Sequence, residues 1–116
     1  NPLAMAVANA VLDQVLAPGF IDNVREMSLL LKQRLAELKD RYSTVLAEVR
    51  GEGLWLGVQL DGDFAASVEQ ACREAGFLVN AVKPNIIRLA PPLVVAKRDL
   101  QKFVTAFAHV LAKVNA

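Results

Sequence analysis

The segment Ile86–Leu93, with the sequence IIRLAPPL, constrains the fold more than any other part of the chain. Its first residues are apolar, and the two isoleucines are β-branched, so they favour a strand. Proline has no amide hydrogen to give to a β-ladder, and we therefore expect the strand to end by Ala90. Arg88 is then fixed near the end of a short, stiff strand at the end of a sheet.

Arg88 is the one charged residue in this apolar strand, and its role needs an explanation. A guanidinium keeps its charge and presents a planar fork of donors, which suits it to bind a carboxylate or a phosphate through two parallel hydrogen bonds. The other interpretation is an ion pair with a nearby aspartate or glutamate, which is common at sheet edges. From the residues alone, the ion pair is the more frequent outcome and both interpretations stay open.

Length and charge limit the class of protein. The chain has 116 residues, enough for one domain, and chains of this size bury roughly two thirds of their unfolded surface. Its formal net charge is +1, from 13 basic and 12 acidic side chains, so no strong field attracts nucleic acid or a membrane, and neither is expected as a partner. Apolar residues make up 54% of the chain, and we expect another domain or subunit to cover part of that surface.

The single cysteine and the single histidine leave little for catalysis. Cys72 has no second cysteine for a disulfide, sits in a helical pattern and is expected to be a small core residue in a reducing cytoplasm. His109 projects away from the apolar stripe of its helix and is expected to be exposed. We expect no metal site and no catalytic residue, because neither a ligand cluster nor a nucleophile with a base emerges.

Apolar periodicity predicts four helices. Asn1 is a good N-cap, and the first helix should run over 2–17; it is apolar on most sides and should therefore lie against another domain or subunit. Apolar residues recur every three or four positions over Phe20–Arg41 and over Lys97–Val114. A shorter helix should end at Gly76.

Alternating apolar residues and turn signals predict a small sheet. Val45–Arg50 and Leu54–Leu60 should be strands joined through a glycine turn, and Phe77–Asn80 should form a hairpin with Ile86–Ala90. The expected fold class is α+β, with a small, mostly antiparallel sheet, helices packed on it and a long apolar linking helix in front. We expect residues 1–17 to be an inter-domain helix and residues 20–116 a small domain, both within a segment of a longer chain.

Three motifs occur in a characteristic order: NPLA at the start, VRGEGL from Val49 with Gly57 behind it, and RLAPPL from Arg88. Together they resemble the C-terminal part of the pyridoxal-phosphate aminotransferases of the ornithine and acetylornithine group, and the resemblance covers the whole chain. It implies the C-terminal small domain of a homodimeric fold type I enzyme. The first helix would link this domain to an upstream large domain near the dimer interface.

The resemblance also implies a reaction and a site. The parent enzyme would use pyridoxal 5'-phosphate to move an amino group between N-acetylornithine, or a related ornithine derivative, and 2-oxoglutarate in arginine biosynthesis. Arg88 would bind the substrate carboxylate, whereas the cofactor-binding residues, including the lysine, lie upstream in the family. Trp55 stands where relatives often carry methionine, and Ala90 is smaller than the leucine often found there, so the acyl group accepted stays open.

A function of another class is compatible with the same residues. In a non-enzymatic α+β ligand-binding or regulatory module, Arg88 would bind an effector instead of a substrate. A third expectation is that the isolated segment dimerises through its first helix. In each of these cases, we expect the segment by itself to be catalytically inactive.

Overall fold

A computed structural model of the chain describes residues 1–115 and shows helices packed on a four-stranded sheet, which confirms the predicted α+β class. In chain order, the elements are α1 (Pro2–Val15), α2 (Phe20–Arg41), β1 (Leu46–Glu52), β2 (Trp55–Leu60), α3 (Ala65–Glu74), β3 (Asn80–Lys83), β4 (Ile86–Leu89) and α4 (Lys97–Asn115).

The sheet has the strand order β1-β2-β4-β3, and every neighbouring pair is antiparallel. Strands β2 and β4 are therefore the inner strands, although α3 and β3 separate them in sequence. Both outer strands carry an irregularity, between Leu46 and Glu48 in β1 and between Ala81 and Lys83 in β3. The pairing of the two inner strands is continuous.

The helices cover one face of the sheet. Helix α2 packs against β1 and α4, while α3 packs against β3 and α4. Burial alternates along β2 with the period of a strand, so that every second residue enters the core under the helices. The core contains leucines of α2, the inward residues of the strands and the apolar stripe of α4: Leu31, Leu35, Leu38, Leu46, Leu56, Val58, Leu60, Ile87, Leu100, Phe107 and Leu111.

The turn between β1 and β2 is fixed by backbone geometry and by a contact with α2. Gly51 has a φ of +137°, and a Cβ there would run into the carbonyl oxygen of Trp55, so only glycine fits. The hydroxyl of Ser28 on α2 donates a hydrogen bond of 2.7 Å to the carbonyl oxygen of Gly53. The hairpin is therefore attached to the helical layer at its tip.

The predicted position of β3 was wrong, although the predicted hairpin with β4 is confirmed. The strand covers Asn80–Lys83 and not Phe77–Asn80. Phe77 belongs to the helical layer, where its ring lies edge-on to that of Phe103 with 5.5 Å between ring centroids. The backbone amide of Phe77 also donates a hydrogen bond of 2.9 Å to the carbonyl oxygen of Cys72 in α3, so Phe77 is not available to the sheet and the strand begins at Asn80.

Helix α1 lies outside the core. The Asn1 side chain caps it by accepting a hydrogen bond of 2.9 Å from the amide of Leu3, as predicted, but the helix ends at Val15, two residues before the predicted end. None of its residues is buried, and its large apolar side chains are mostly exposed. No single helix in residues 1–115 has the length and apolar character to cross a bilayer; α1 and α2 meet those criteria only as a pair bent by 70°.

Two leucines of α2 provide a matched test of the core. Leu35 is 0% exposed and Leu29 is 60% exposed on the same helix. Replacing Leu35 by alanine should lower the free energy of unfolding by about 2–5 kcal/mol, because it removes buried methyl groups and leaves a cavity. Leu29→Ala should change it by about 0.5 kcal/mol or less. Urea unfolding curves of both variants measure the difference, and equal losses would contradict this packing.

Candidate functional site

Arg88 lies on an inner strand of the sheet, with β2 on one side and β3 on the other. The strand ends at Leu89, one residue after Arg88, so the expected position near the end of a strand is confirmed, although that strand is not at the edge of the sheet. Ile87 and Leu89, its neighbours in β4, are buried under the helices, so strand alternation places the Arg88 side chain on the opposite face. Arg88 is exposed there, and its backbone is held by strands on both sides.

The helix-free side of the sheet, which we call the open face, includes Arg50, Trp55, Gly57, Asn80 and Arg88. Four of these residues make one row across the sheet: Arg50 pairs with Gly57, Gly57 with Arg88, and Arg88 with Asn80. Trp55 lies beside this row and is 67% exposed. Sequence reasoning identified Arg88 but missed its neighbours Gly57 and Asn80. The pairing of β2 with β4, which brings Gly57 beside Arg88, is not visible in local patterns. The pairing of Asn80 with Arg88 was missed because the predicted β3 began three residues too early.

Arg88 takes no part in the ion pairs found within residues 1–115. The other charged residue of the same row, Arg50, pairs with Glu48 of its own strand at 3.2 Å. The local ion pair that was the more frequent interpretation of Arg88 is thus not formed. A guanidinium on the open face with no carboxylate of the described chain bound to it is available for an external anion.

A carboxylate from α3 holds the outer strand next to Arg88. Oε2 of Glu69 accepts a hydrogen bond of 2.5 Å from the amide of Ala81, and Oε1 accepts one of 3.0 Å from Arg73. Ala81 pairs with Ile87, the residue before Arg88. Glu69 therefore fixes β3 at the irregularity of that strand and supports the backbone around Arg88.

A cavity of about 260 Å³ lies behind the two prolines, on the helical side of the sheet. Its lining is mostly apolar, and Arg88 is not part of it. Leu89 lines the cavity, and Arg88, the residue before it on an alternating strand, points to the other face. The cavity and the open face are therefore separate, with the cavity lined by Leu31, Phe77, Leu89, Pro91, Asp99 and Phe103 among others.

The remaining candidate residues are placed as predicted. Cys72 is buried in the core, and burial raises the pKa of its thiol to about 11, because the thiolate loses its hydration there. His109 is exposed on α4. Within residues 1–115, no group of three or more metal-ligating side chains is close enough to hold a metal ion.

Comparison with known proteins identifies a matching family model and similar relatives. Residues 1–111 match the family model described as Aminotransferase class-III. Acetylornithine aminotransferase 1 of Bradyrhizobium diazoefficiens is 43% identical over 119 residues, which cover 100% of this chain and 28% of that protein. Acetylornithine aminotransferase of Agrobacterium fabrum is 47% identical, over 97% of this chain and 29% of that protein.

The fold agrees with a solved structure of the same class. The crystal structure of acetylornithine aminotransferase from Elizabethkingia anophelis superposes with a TM-score of 0.90 and 31% sequence identity, covering 97% of this chain and 30% of that one. The chain thus spans less than a third of the length of these relatives.

The contact between Glu69 and β3 predicts a local change in strand stability. Glu69→Ala should accelerate hydrogen exchange of the Ala81 amide by about 10- to 100-fold, because a charged acceptor contributes about 1.5–3 kcal/mol to such a bond. Glu74→Ala is the matched control, since Glu74 lies on the same helix and its carboxylate accepts a hydrogen bond of 3.0 Å from Gln70, not from a strand. Equal exchange rates in the two variants, measured by NMR, would contradict the role given to Glu69.

The buried thiol predicts a pH-dependent reactivity. Because burial raises the pKa of Cys72 to about 11, the folded chain should react slowly with an alkylating reagent near neutral pH and faster as the pH approaches that value. The urea-unfolded chain, whose thiol has an ordinary pKa, should react quickly at neutral pH. The protonated thiol contributes to the stability of the folded chain. This contribution should be complete at a pH below the pKa of the thiol in the unfolded chain, and it should be lost as the pH rises through the pKa of the thiol in the folded chain. Rapid labelling of the folded chain at neutral pH would contradict this placement.

Proposed function

This chain belongs to the class-III aminotransferase family, and we propose that it forms the C-terminal small domain of a pyridoxal-phosphate-dependent aminotransferase. The proposed substrates are N-acetylornithine, or a related ornithine derivative, and 2-oxoglutarate, in arginine biosynthesis. The names of the relatives at 43% and 47% identity support this choice. Family membership also favours an enzyme over a regulatory ligand-binding module.

The position of Arg88 is the observation that carries the proposal for the site. Amino-acid donors and 2-oxo-acid acceptors share a carboxylate next to the reacting carbon, and a guanidinium fork matches that group. Arg88 presents its fork on the open face, and its backbone is fixed by strands on both sides. A carboxylate held in this way would bring either substrate to the reaction centre in the same orientation, which is a positioning role.

The cofactor is proposed to be held by the rest of the enzyme. When bound, pyridoxal phosphate supplies the electron sink for the transfer of the amino group. We assign no residue of this chain to the cofactor, because the open face offers a site for an anionic substrate and the family lysine is expected upstream. The 116-residue segment by itself is therefore proposed to be inactive.

Helix α1 supports the proposal that the domain works as part of a larger assembly. Its apolar side chains are exposed, whereas residues of this type are normally covered in a folded protein. We propose that an upstream large domain covers them near the interface of a homodimer in the cytoplasm. The apolar residues concerned are Leu3, Met5, Val7, Val11, Leu12 and Leu16.

Replacing Arg88 by alanine in the full-length enzyme tests the proposal. The change should raise KM for both substrates and lower kcat/KM by a factor on the order of 100, because it removes a charge-assisted pair of hydrogen bonds worth about 3 kcal/mol. Steady-state kinetics with the amino donor and with 2-oxoglutarate measure the effect.

Arg34→Ala is the matched control for this experiment. Arg34 is an exposed arginine of α2, paired with Glu37 at 3.1 Å, and it lies in the helical layer. Its replacement should leave KM unchanged for both substrates. Normal kinetics of the Arg88 variant with both substrates would refute the role of this residue.

A further inference from the structure

Gly57 is a glycine in the interior of an inner strand, and the described chain does not explain why. Its φ is not in the left-handed region, so the backbone does not require glycine. A Cβ at this position would meet only the carbonyl oxygen of Arg50 at 3.8 Å and Cγ2 of Ile86 at 4.0 Å, which are ordinary contacts. Since glycine weakens a strand relative to alanine, its presence here indicates that something approaches the backbone closely from the open face.

The residues on either side of Gly57 show what could approach. Arg50 is its partner on β1 and Arg88 its partner on β4, so a strip without side chain lies between two cations. In an antiparallel sheet, the two pair distances are about 4.5 and 5.5 Å, and the Cα atoms of the two arginines are thus about 10 Å apart. Two long side chains can span that distance and reach the same group above the glycine.

We propose that Arg50 and Gly57 belong to the same carboxylate site as Arg88. The substrate carboxylate lies over the bare backbone of Gly57, Arg88 binds it from one side, and Arg50 supplies a second positive charge from the other. This inference rests on the proposed function of Arg88 and adds two residues to that site. Gly57 is the specificity-determining position, because any side chain there would fill the space that the carboxylate needs.

The charges of the row favour an anion at this place. Arg50 and Arg88 are both positive and Asn80, at the far end of the row, is neutral, so the row itself contains no carboxylate. The register places Glu48 and Glu52 on the same face, on either side of Arg50 in the outer strand β1. The carboxylate of Glu48 pairs with Arg50, but both side chains are about half exposed, at 51% and 56%. Such a pair is weak in water, and a substrate anion can replace or share it.

The test uses the full-length enzyme and 2-oxoglutarate as the probe, with binding measured by calorimetry and KM by kinetics. Gly57→Ala should weaken binding by about tenfold or more, since a displaced substrate is held out of line, and should not lower the unfolding temperature. Arg50→Gln should weaken binding by about threefold, and Arg50→Lys should restore most of the loss. Arg34→Gln is the control and should bind as the parent does.

Each result decides the inference. Unchanged affinity of the Gly57→Ala enzyme overturns it, and so does a loss of affinity that comes with a lower unfolding temperature, because the glycine would then have a structural role. If Arg88→Gln still weakens binding in either case, the proposed function stands without the two added residues. A parent enzyme that neither binds 2-oxoglutarate nor transfers amino groups removes both proposals.

Discussion

The pairing of β2 with β4 is the interaction on which the rest of the structure depends, because it joins two hairpins that α3 separates in sequence. Val58 faces Ile87 under the helices, and the adjacent pair, Gly57 and Arg88, faces the other side. A slip of one residue would turn a guanidinium into the core and expose the isoleucine. The cost of burying an unpaired charge therefore keeps the register, and with it the position of Arg88.

Local sequence patterns predict most of the helices and strands, but they do not predict how the strands are arranged in the sheet. The bounds predicted for α2, Phe20–Arg41, agree with the structure because apolar spacing and the preceding Pro-Gly determine them within the segment. The start of β3 could not be predicted in this way, since Phe77 is used by a contact with a distant helix. The row of residues around Arg88 could not be predicted either. Strand order depends on which edges of the two hairpins pair, and the apolar periodicity of each strand is the same for every possible order.

The two faces of the sheet have different physical roles. The helical face supplies stability through its apolar core, whereas the open face presents Arg88 on a backbone that is held by hydrogen bonds on both sides. Side chains placed on strands are held more accurately than those on loops, which matters for a group that has to orient a substrate. The contact of Glu69 with Ala81 extends this support to the outer strand. The site is thus built on the rigid part of the domain.

The irregularities in β1 and β3 have a consequence for how this domain can meet other proteins. Each lies on an outer strand, where a regular row of free amide and carbonyl groups would act as a template for a foreign strand. A bulge twists such an edge and breaks the spacing that a newcomer would have to match. Both margins of the sheet therefore disfavour the addition of a further strand. Another polypeptide would therefore contact the faces of the domain, where the shape and charge of side chains control recognition.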